Sequence, residues 1–277
     1  MLTWPVGDHG VVAMERIDEG DKPLAWLLDR PPEEAATGYD AAGWECSTWV
    51  LHAMYRCADL AGLGSSDERH RQRVASGDVE PLIIGTVDVD QATTDTGVPL
   101  GFVSRPPDRW RRVLWSDYLA GLPGPARERT CPPSHCWFPH DSWPIAIAPP
   151  PEGSLDEASL HCLLETLSRH SAAGAGTEVF AFFASLPAGD FDSPHLWHGP
   201  LDEVPTLIDG YGGPYAFSPS NLWPADRSWF VLTDYDLQGT KVSGSTELVE
   251  AVRSHPGLET AEWPTHRGGP PLPASAA

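Results

Sequence analysis

The amino-acid sequence predicts an α+β protein in which an N-terminal helical region is followed by two tandem, distantly related strand–helix modules that share a core. Two observations carry this prediction. Apolar residues recur at helical spacing from position 46 to position 58. Farther along, the order of strand, Trp-bearing turn, strand, Gly-Ser pair and helix occurs twice. The predicted segments are 1–98, a first module at 99–173, a second module at 177–263 and a disordered tail at 264–277.

The N-terminal region contains two predicted helices and one predicted strand. The apolar stripe of residues 46–58 leaves His52 on another face, where a surface or hydrogen-bonded histidine is expected. Ser66 and Gly77 suit the two ends of a second helix. The run PLIIGTVDVD at 81–90 is typical of a buried strand that ends in acidic residues.

The two modules share a turn motif, WFPHDSW at 137–143 and WPADRSW at 223–229. Proline stiffens the approach to a strand, and Asp141 and Asp226 suit Asx turns. We therefore interpret the motif as a structural corner built twice, not as a pair of catalytic carboxylates. A Gly-Ser pair follows in each copy. Ser154 has capping-box spacing to Glu157, and Ser245 begins the second helix.

Composition excludes several function classes. The chain of 277 residues has 18 basic and 39 acidic residues, a net charge of −21. Such a surface repels phosphate backbones and anionic membranes, so neither nucleic acid nor a membrane is an expected partner. A basic protein partner is expected instead. The start of the sequence lacks the features of a secretory signal, and the five cysteines are few and odd in number, which favours a cytoplasmic location with reduced thiols.

The segment CPPSHCWFPH at 131–140 is the densest group of metal-ligand residue types. Zinc is the cofactor that Cys131, His135, Cys136 and His140 could hold, since thiolates and imidazoles are its usual ligands. The spacing departs from the paired ligands of structural zinc sites, so a proline-rich loop with reduced thiols is the alternative. A cysteine nucleophile beside a histidine base is a third interpretation.

Two further groups are candidate sites. His195 and His198 form a His-x-x-His pair that suits acid–base catalysis, and they occur in one module only. Two Asp-x-Asp pairs at predicted strand ends, 88 with 90 and 234 with 236, could hold a divalent ion, although strand-end acids are also common at loop starts. The common nucleotide-binding and hydrolase motifs do not occur.

One stretch carries a resemblance. NLWPADRSWFVLTDYDLQGTKVSGSTELVEAV at 221–252, together with GWECSTWVLHAMY at 43–55, resembles segments of uncharacterised actinobacterial proteins. In those proteins a Trp-Pro-x-Asp-Arg-Ser/Ala-Trp strand leads to a Gly-Ser-capped helix. The resemblance implies a soluble bacterial protein and no particular activity.

Two functions remain open from the sequence. The first is a binding or interaction protein, of the immunity or regulatory kind, that presents an acidic surface to a basic partner. The alternative is an enzyme with a Cys/His-containing site between the two modules, which a metal could assist.

Overall fold

The computed structural model describes residues 13–17, 21–28, 39–104, 106–122, 131–138, 142–190 and 193–262. The predicted tail at 264–277 and the turn residue Asp141 lie outside the described residues. The strands are β1 Glu15–Ile17, β2 Cys46–Leu51, β3 Met54–Arg56, β4 Ile83–Ile84, β5 Val87–Asp88, β6 Arg111–Val113, β7 Ile147–Ala148, β8 Glu178–Phe183, β9 His195–Pro200, β10 Asn221–Pro224, β11 Phe230–Thr233, β12 Gly239–Gly244 and β13 Thr260–Ala261.

The α-helices are mostly short. They are α1 Asp21–Leu28, α2 Ser66–Ser76, α3 Val89–Ala92, α4 Trp115–Ala120, α5 Glu157–Arg169, α6 Ser185–Ala188 and α7 Thr246–Ser254. Short 3-10 segments include His135–Trp137, Leu201–Leu207 and Asp209–Tyr211. Within the described part of the chain, no helix combines the length and the apolar character needed to cross a bilayer.

The main sheet has eight antiparallel strands in the order β1-β9-β8-β10-β11-β12-β2-β13. Its middle strands are rich in the β-branched and aromatic residues that fit a pleated, buried surface. Strand β2 pairs with β12 from Cys46 opposite Gly244 to Leu51 opposite Gly239. Early and late parts of the chain therefore complete one sheet.

Three hydrophobic cores flank the two sheets. Helices α5 and α7 and the segment Leu201–Leu207 cover one face of the main sheet. Helix α1 and the chain around Trp44 cover the opposite face. The small sheet, in the order β6-β3-β7, forms a third core with α4 and a group of buried aromatic residues that includes Trp115, Trp137 and Trp143. Most tryptophans in the described part of the chain are thus packing residues, as their large apolar area favours.

The predicted N-terminal helical region is wrong, because the stretch predicted as its first helix contains the strands β2 and β3 between Cys46 and Arg56. Trp49 and Val50 are buried on opposite faces of β2, so the apolar run reflects a strand that is covered on both sides. The structure of residues 81–90 also differs from the single buried strand that the sequence predicts. It is the small hairpin β4–β5, in which Ile83 and Ile84 are exposed to solvent.

The prediction of two tandem strand–helix modules is also wrong. The described part of residues 99–107 has only an isolated bridge, from Leu100 to Glu152, where the second module has the full strand β8. The two tryptophan corners pack differently: Trp229 lies in the core beneath α5 and α7, whereas Trp143 lies in the small-sheet core. The fold is strand-rich, with two antiparallel sheets and mostly short helices.

The corner at 223–229 is confirmed as a structural turn. Asp226 accepts a hydrogen bond from the amide of Ser228 at 2.9 Å, which makes an Asx turn. The guanidinium of Arg227 lies 4.4 Å from the ring centroid of Trp26. Trp229 then enters the core immediately before β11. The role of this aspartate is to form the chain reversal.

The helix ends agree in part with the sequence patterns. Gly77 ends α2 in the left-handed conformation, but the cap is Ser65, one residue earlier than predicted. Ser245 caps α7 as predicted. Helix α5 is capped by Asp156, and Ser154 instead hydrogen-bonds within the core. The buried carboxylate takes this position because it can accept from two free amides at the helix start.

Candidate functional site

Three loops meet beside the turn between β11 and β12. The amide of Gly153, in the loop before α5, donates to the carbonyl of Leu237 at 2.8 Å. The amide of Gln238 donates to the carbonyl of Pro133 at 2.8 Å, and its side-chain nitrogen donates to the carbonyl of Pro150 at 3.1 Å. These hydrogen bonds bring residues 131–138, 150–153 and 234–238 together although they are far apart in the sequence.

The backbone conformations at Gly153 and Asp234 allow the three loops to approach each other closely. Gly153 has a φ of +75°, and a Cβ built there would lie 2.8 Å from the Cα of Tyr235, so only glycine allows this approach. Asp234 accepts a hydrogen bond from the amide of Asp236 at 3.0 Å and forms an Asx turn. The turn projects Tyr235 into solvent, with 41% of its surface exposed.

Glu152, Asp234 and Asp236 form what we call the acidic cluster. Burial raises the pKa of Glu152; His135 opposes this rise and the charge of Asp236 adds to it. Burial likewise raises the pKa of Asp234, opposed by the hydrogen bond from the Asp236 amide and reinforced by the Asp236 carboxylate. Among the described residues, none of the three pairs with a Lys or Arg.

The acidic cluster thus combines partial burial with like-charge repulsion. Raised carboxylate pKa values of this origin concentrate at functional sites, where neighbouring like charges are held together although their repulsion destabilises the fold. Gln238 adds a further acceptor at the same place: its buried Oε1 has no hydrogen-bond partner among the residues that the structure describes. The site is rich in acceptors and poor in donors, which suits a cationic group.

The candidate zinc ligands lie at the edge of this site. His135 and Cys136 are exposed, and the Cys136 Sγ lies 3.5 Å from the His135 Nε2. Cys131 is half-buried, and its Sγ lies 3.6 Å from the Ser134 Oγ. In the described ranges, no three His, Cys, Asp or Glu side chains form a group that could hold a metal. The fourth predicted ligand, His140, lies outside the described residues.

His195 and His198 do not form a pair. Side chains alternate along a strand, so residues three apart on β9 point to opposite faces of the sheet. His195 lies beside the core covered by α5 and α7, where it contacts Tyr215. His198 packs on Phe180 on the other face, and its Nε2 lies 3.5 Å from the Glu178 carboxylate.

His195 belongs to a small hydrogen-bond network. Its Nδ1 lies 2.7 Å from the Tyr215 hydroxyl oxygen, which also accepts from the Trp197 indole N–H at 2.8 Å. Its Nε2 lies 3.8 Å from the Asp190 carboxylate. Burial lowers the pKa of His195, and the charge of Arg16 lowers it further. The network joins the loop before β10 to β9.

The candidate residues therefore do not converge on one catalytic centre. Strands β9 and β12 are separated by three strands in the sheet, a distance of about 19 Å at the usual strand spacing. His195 is thus remote from the Cys131–Cys136 loop, which contacts the start of β12 through Pro133. An enzyme that uses both groups in one site is not what this geometry supports.

The other Asp-x-Asp pair has structural partners. Asp88 caps α3 by accepting from the amide of Gln91 at 3.1 Å. Asp90 accepts from the amide of Leu82 at 2.8 Å and contacts the His70 ring at 2.9 Å. Sequence patterns treat the two pairs alike, but among the described residues it is Asp236, of the later pair, that interacts electrostatically with a third carboxylate, that of Glu152.

Glu152 is the site residue that sequence reasoning missed. It follows three prolines and precedes Gly153, a context that predicts a loop and carries no sign of a carboxylate cluster. Comparisons with family models, curated proteins and solved structures found no match to this chain.

Proposed function

We propose that the protein is a binding protein for a basic partner, and that the acidic cluster receives a Lys or Arg side chain of that partner. The observation that supports this proposal is the set of three neighbouring carboxylates, two of them with raised pKa, that no Lys or Arg of the described chain neutralises. A cation from outside relieves the repulsion among them.

The chemistry of the site suits arginine best. A guanidinium donates up to five hydrogen bonds in a plane and can bridge two carboxylates, which a single ammonium does less well. The exposed ring of Tyr235 lies on the same turn as Asp234 and Asp236 and offers a face for a cation–π contact.

The rest of the surface supports electrostatic attraction. Several of the basic side chains are already paired within the molecule: Arg71 with Asp67, Arg169 with Glu165 and Arg253 with Glu250 and Glu262. The net charge of −21 remains after all 18 basic residues are counted against the 39 acidic ones. A field of this sign speeds the association of basic partners and repels nucleic acid.

We place this activity in the cytoplasm. The five cysteines are free thiols in the structure, and reduced thiols are stable in that compartment.

The test is a binding measurement with fluorescein-labelled deca-arginine and deca-lysine peptides. The acidic-cluster variant carries Glu152→Gln, Asp234→Asn and Asp236→Asn. The matched control carries Asp202→Asn, Glu203→Gln and Asp209→Asn, which change the net charge equally on the segments before β10. Fluorescence anisotropy gives the affinity of each protein at several salt concentrations.

The proposal predicts that the acidic-cluster variant loses about tenfold in deca-arginine affinity, equivalent to about 1.4 kcal/mol, and that the control loses less than about twofold. Wild type should prefer deca-arginine to deca-lysine, and its affinity should fall with salt. Equal losses in the two variants show diffuse attraction without a site and overturn the proposal, as does an affinity that salt does not change.

A further inference from the structure

Thr233, Thr240 and His52 form a chain of hydrogen bonds that we call the buried relay. The Nδ1–H of His52 donates to the carbonyl of Pro151 at 2.6 Å. Because Nδ1 carries the proton, Nε2 of the neutral ring accepts from the Thr240 hydroxyl at 3.0 Å. The Thr240 oxygen in turn accepts from the Thr233 hydroxyl at 2.9 Å. Each hydrogen bond of the relay therefore has one direction, from Thr233 towards Pro151.

The two ends of the buried relay adjoin two carboxylates of the acidic cluster. Pro151 immediately precedes Glu152 in the chain. Thr233 ends β11 and immediately precedes Asp234. Thr233 and Thr240 also lie opposite each other where β11 and β12 enter the turn that connects them. The relay thus joins the loop that carries one carboxylate to the turn that carries the other.

The buried relay is shielded from water and fixed at its centre. His52 and Thr240 are 0% exposed, and Thr233 is 2% exposed. The amide of His52 donates to the carbonyl of Gln238 at 3.0 Å, and its carbonyl accepts from the Trp115 indole N–H at 2.8 Å. A buried polar network in which every hydrogen bond is formed rigidifies the segments that it joins. The relay therefore restrains the loop relative to the turn.

The acidic cluster requires such a restraint. Burial, and after it the charge of Asp236, raises the pKa values of Glu152 and Asp234, so the carboxylates repel each other across the gap between loop and turn. A guanidinium can bridge two carboxylates only where their separation matches its planar fork. An ammonium on a flexible stem adapts to several separations. The spacing of the carboxylates therefore decides between arginine and lysine.

We propose that the buried relay holds Glu152 and Asp234 at a spacing that selects an arginine side chain over a lysine side chain. This inference rests on the binding function proposed above and identifies what sets the preference for one basic side chain. The side chains of the relay are buried and do not touch the partner. They are positioning residues, and their loss leaves the charges of the acidic cluster in place.

The experiment uses near-isosteric substitutions in the buried relay. Thr240→Val removes the central hydroxyl, Thr233→Val breaks only the outer hydrogen bond, and Thr240→Ser keeps the central hydroxyl. Thr48→Val is the matched control, because Thr48 is a buried threonine of β2 whose hydroxyl donates to Glu262, outside the relay. Far-UV circular dichroism verifies that each variant is folded.

Two quantities are measured for each variant. Fluorescence anisotropy gives the affinities for labelled deca-arginine and deca-lysine, and their ratio is the selectivity. Amide hydrogen exchange at Gly153, which donates to the carbonyl of Leu237 at 2.8 Å, reports whether the loop stays on the turn without any peptide.

Both relay-breaking variants should lose about threefold in deca-arginine affinity, because the loop must then be ordered when the peptide binds. Their deca-lysine affinity should change by less than about 1.5-fold, since an ammonium adapts to the altered spacing. The Gly153 amide should exchange at least about threefold faster than in wild type. Thr240→Ser and Thr48→Val should keep the wild-type selectivity and exchange rate.

Wild-type selectivity in folded Thr240→Val and Thr233→Val overturns this inference, and so does an equal loss of selectivity in Thr48→Val. Failure of the binding proposal gives a different result. In that case the acidic-cluster variant binds deca-arginine no more weakly than its charge-matched control, and both proposals fall together. Loss of affinity in the acidic-cluster variant with unchanged selectivity in the relay variants overturns the relay alone.

Discussion

Mild acid should destabilise this protein through one buried histidine. His52 follows β2 and is fully buried, with both ring nitrogens in hydrogen bonds. Its Nδ1–H donates to the carbonyl of Pro151 at 2.6 Å, so in the neutral ring Nε2 accepts from the Thr240 hydroxyl at 3.0 Å. Burial lowers the pKa of His52 to about 4, against the opposing effects of the Pro151 carbonyl and the Asp156 charge.

The magnitude follows from proton linkage. In the unfolded chain a histidine has a pKa of about 6.5, so between pH 6.5 and pH 4 the unfolded state binds more protons than the folded state. Stability is therefore complete above the unfolded pKa and is lost as the pH falls through this window. With a folded pKa of about 4, the loss between pH 7 and pH 5 is about 2 kcal/mol.

Urea unfolding at pH 7, 6 and 5 measures this loss. The variant His52→Gln removes the titrating group and should show about 2 kcal/mol less pH dependence than wild type, whatever its stability at pH 7. Leu51→Ala, at the neighbouring buried position without a titratable group, is the control; it should lower the stability at every pH and keep the wild-type pH dependence. Identical pH dependence in wild type and His52→Gln refutes the reasoning.

Three further changes have defined outcomes in equilibrium unfolding. Asp40→Ala removes the buried partner of Lys241, whose Nζ lies 2.7 and 3.0 Å from the Asp40 carboxylate oxygens. The substitution should lower the free energy of unfolding by about 3–5 kcal/mol, because it leaves a buried charge unpaired. A double variant with apolar residues at both positions should lose less, and an equal loss contradicts this explanation. Ser245→Ala removes the cap of α7 and should cost about 1 kcal/mol, whereas Ser245→Asp should not. Glu152→Gln should stabilise the protein by about 0.5 kcal/mol at pH 7, a value reduced for solvent screening. Because the pKa of Glu152 is raised, the contribution of the native Glu152 to stability is complete below its unfolded pKa and is lost as the pH rises through its folded pKa. The gain from Glu152→Gln should therefore vanish in acid. A gain that persists in acid contradicts the assignment.

Local features of the fold were predictable where one short stretch determines them. The serine cap of α7 and the Asx turn at Asp226 depend on neighbours within a few residues, and both occur. The stretch 46–58 was not predictable in this way. A strand covered on both faces has a continuous apolar run, and such a run also contains the spacing of a helical stripe.

The candidate site was predictable only in pieces. The pair Asp234 and Asp236 and the loop from Cys131 to Cys136 are both visible in the sequence, as separate candidates. Their meeting depends on the backbone hydrogen bond from the amide of Gln238 to the carbonyl of Pro133, and on the pairing of β12 with β2. Glu152 enters the cluster through the same long-range contacts, which no local pattern encodes.

The most direct test of the binding proposal is a carboxyl-carbon NMR titration of Glu152 and Asp234 with and without deca-arginine. In the free protein, we predict titration midpoints above the ordinary values of about 4.3 for Glu and about 3.9 for Asp. A bound guanidinium favours the ionised form, so both midpoints should fall when the peptide is present. Midpoints that stay unchanged while the peptide binds contradict the proposal that the acidic cluster receives the basic side chain.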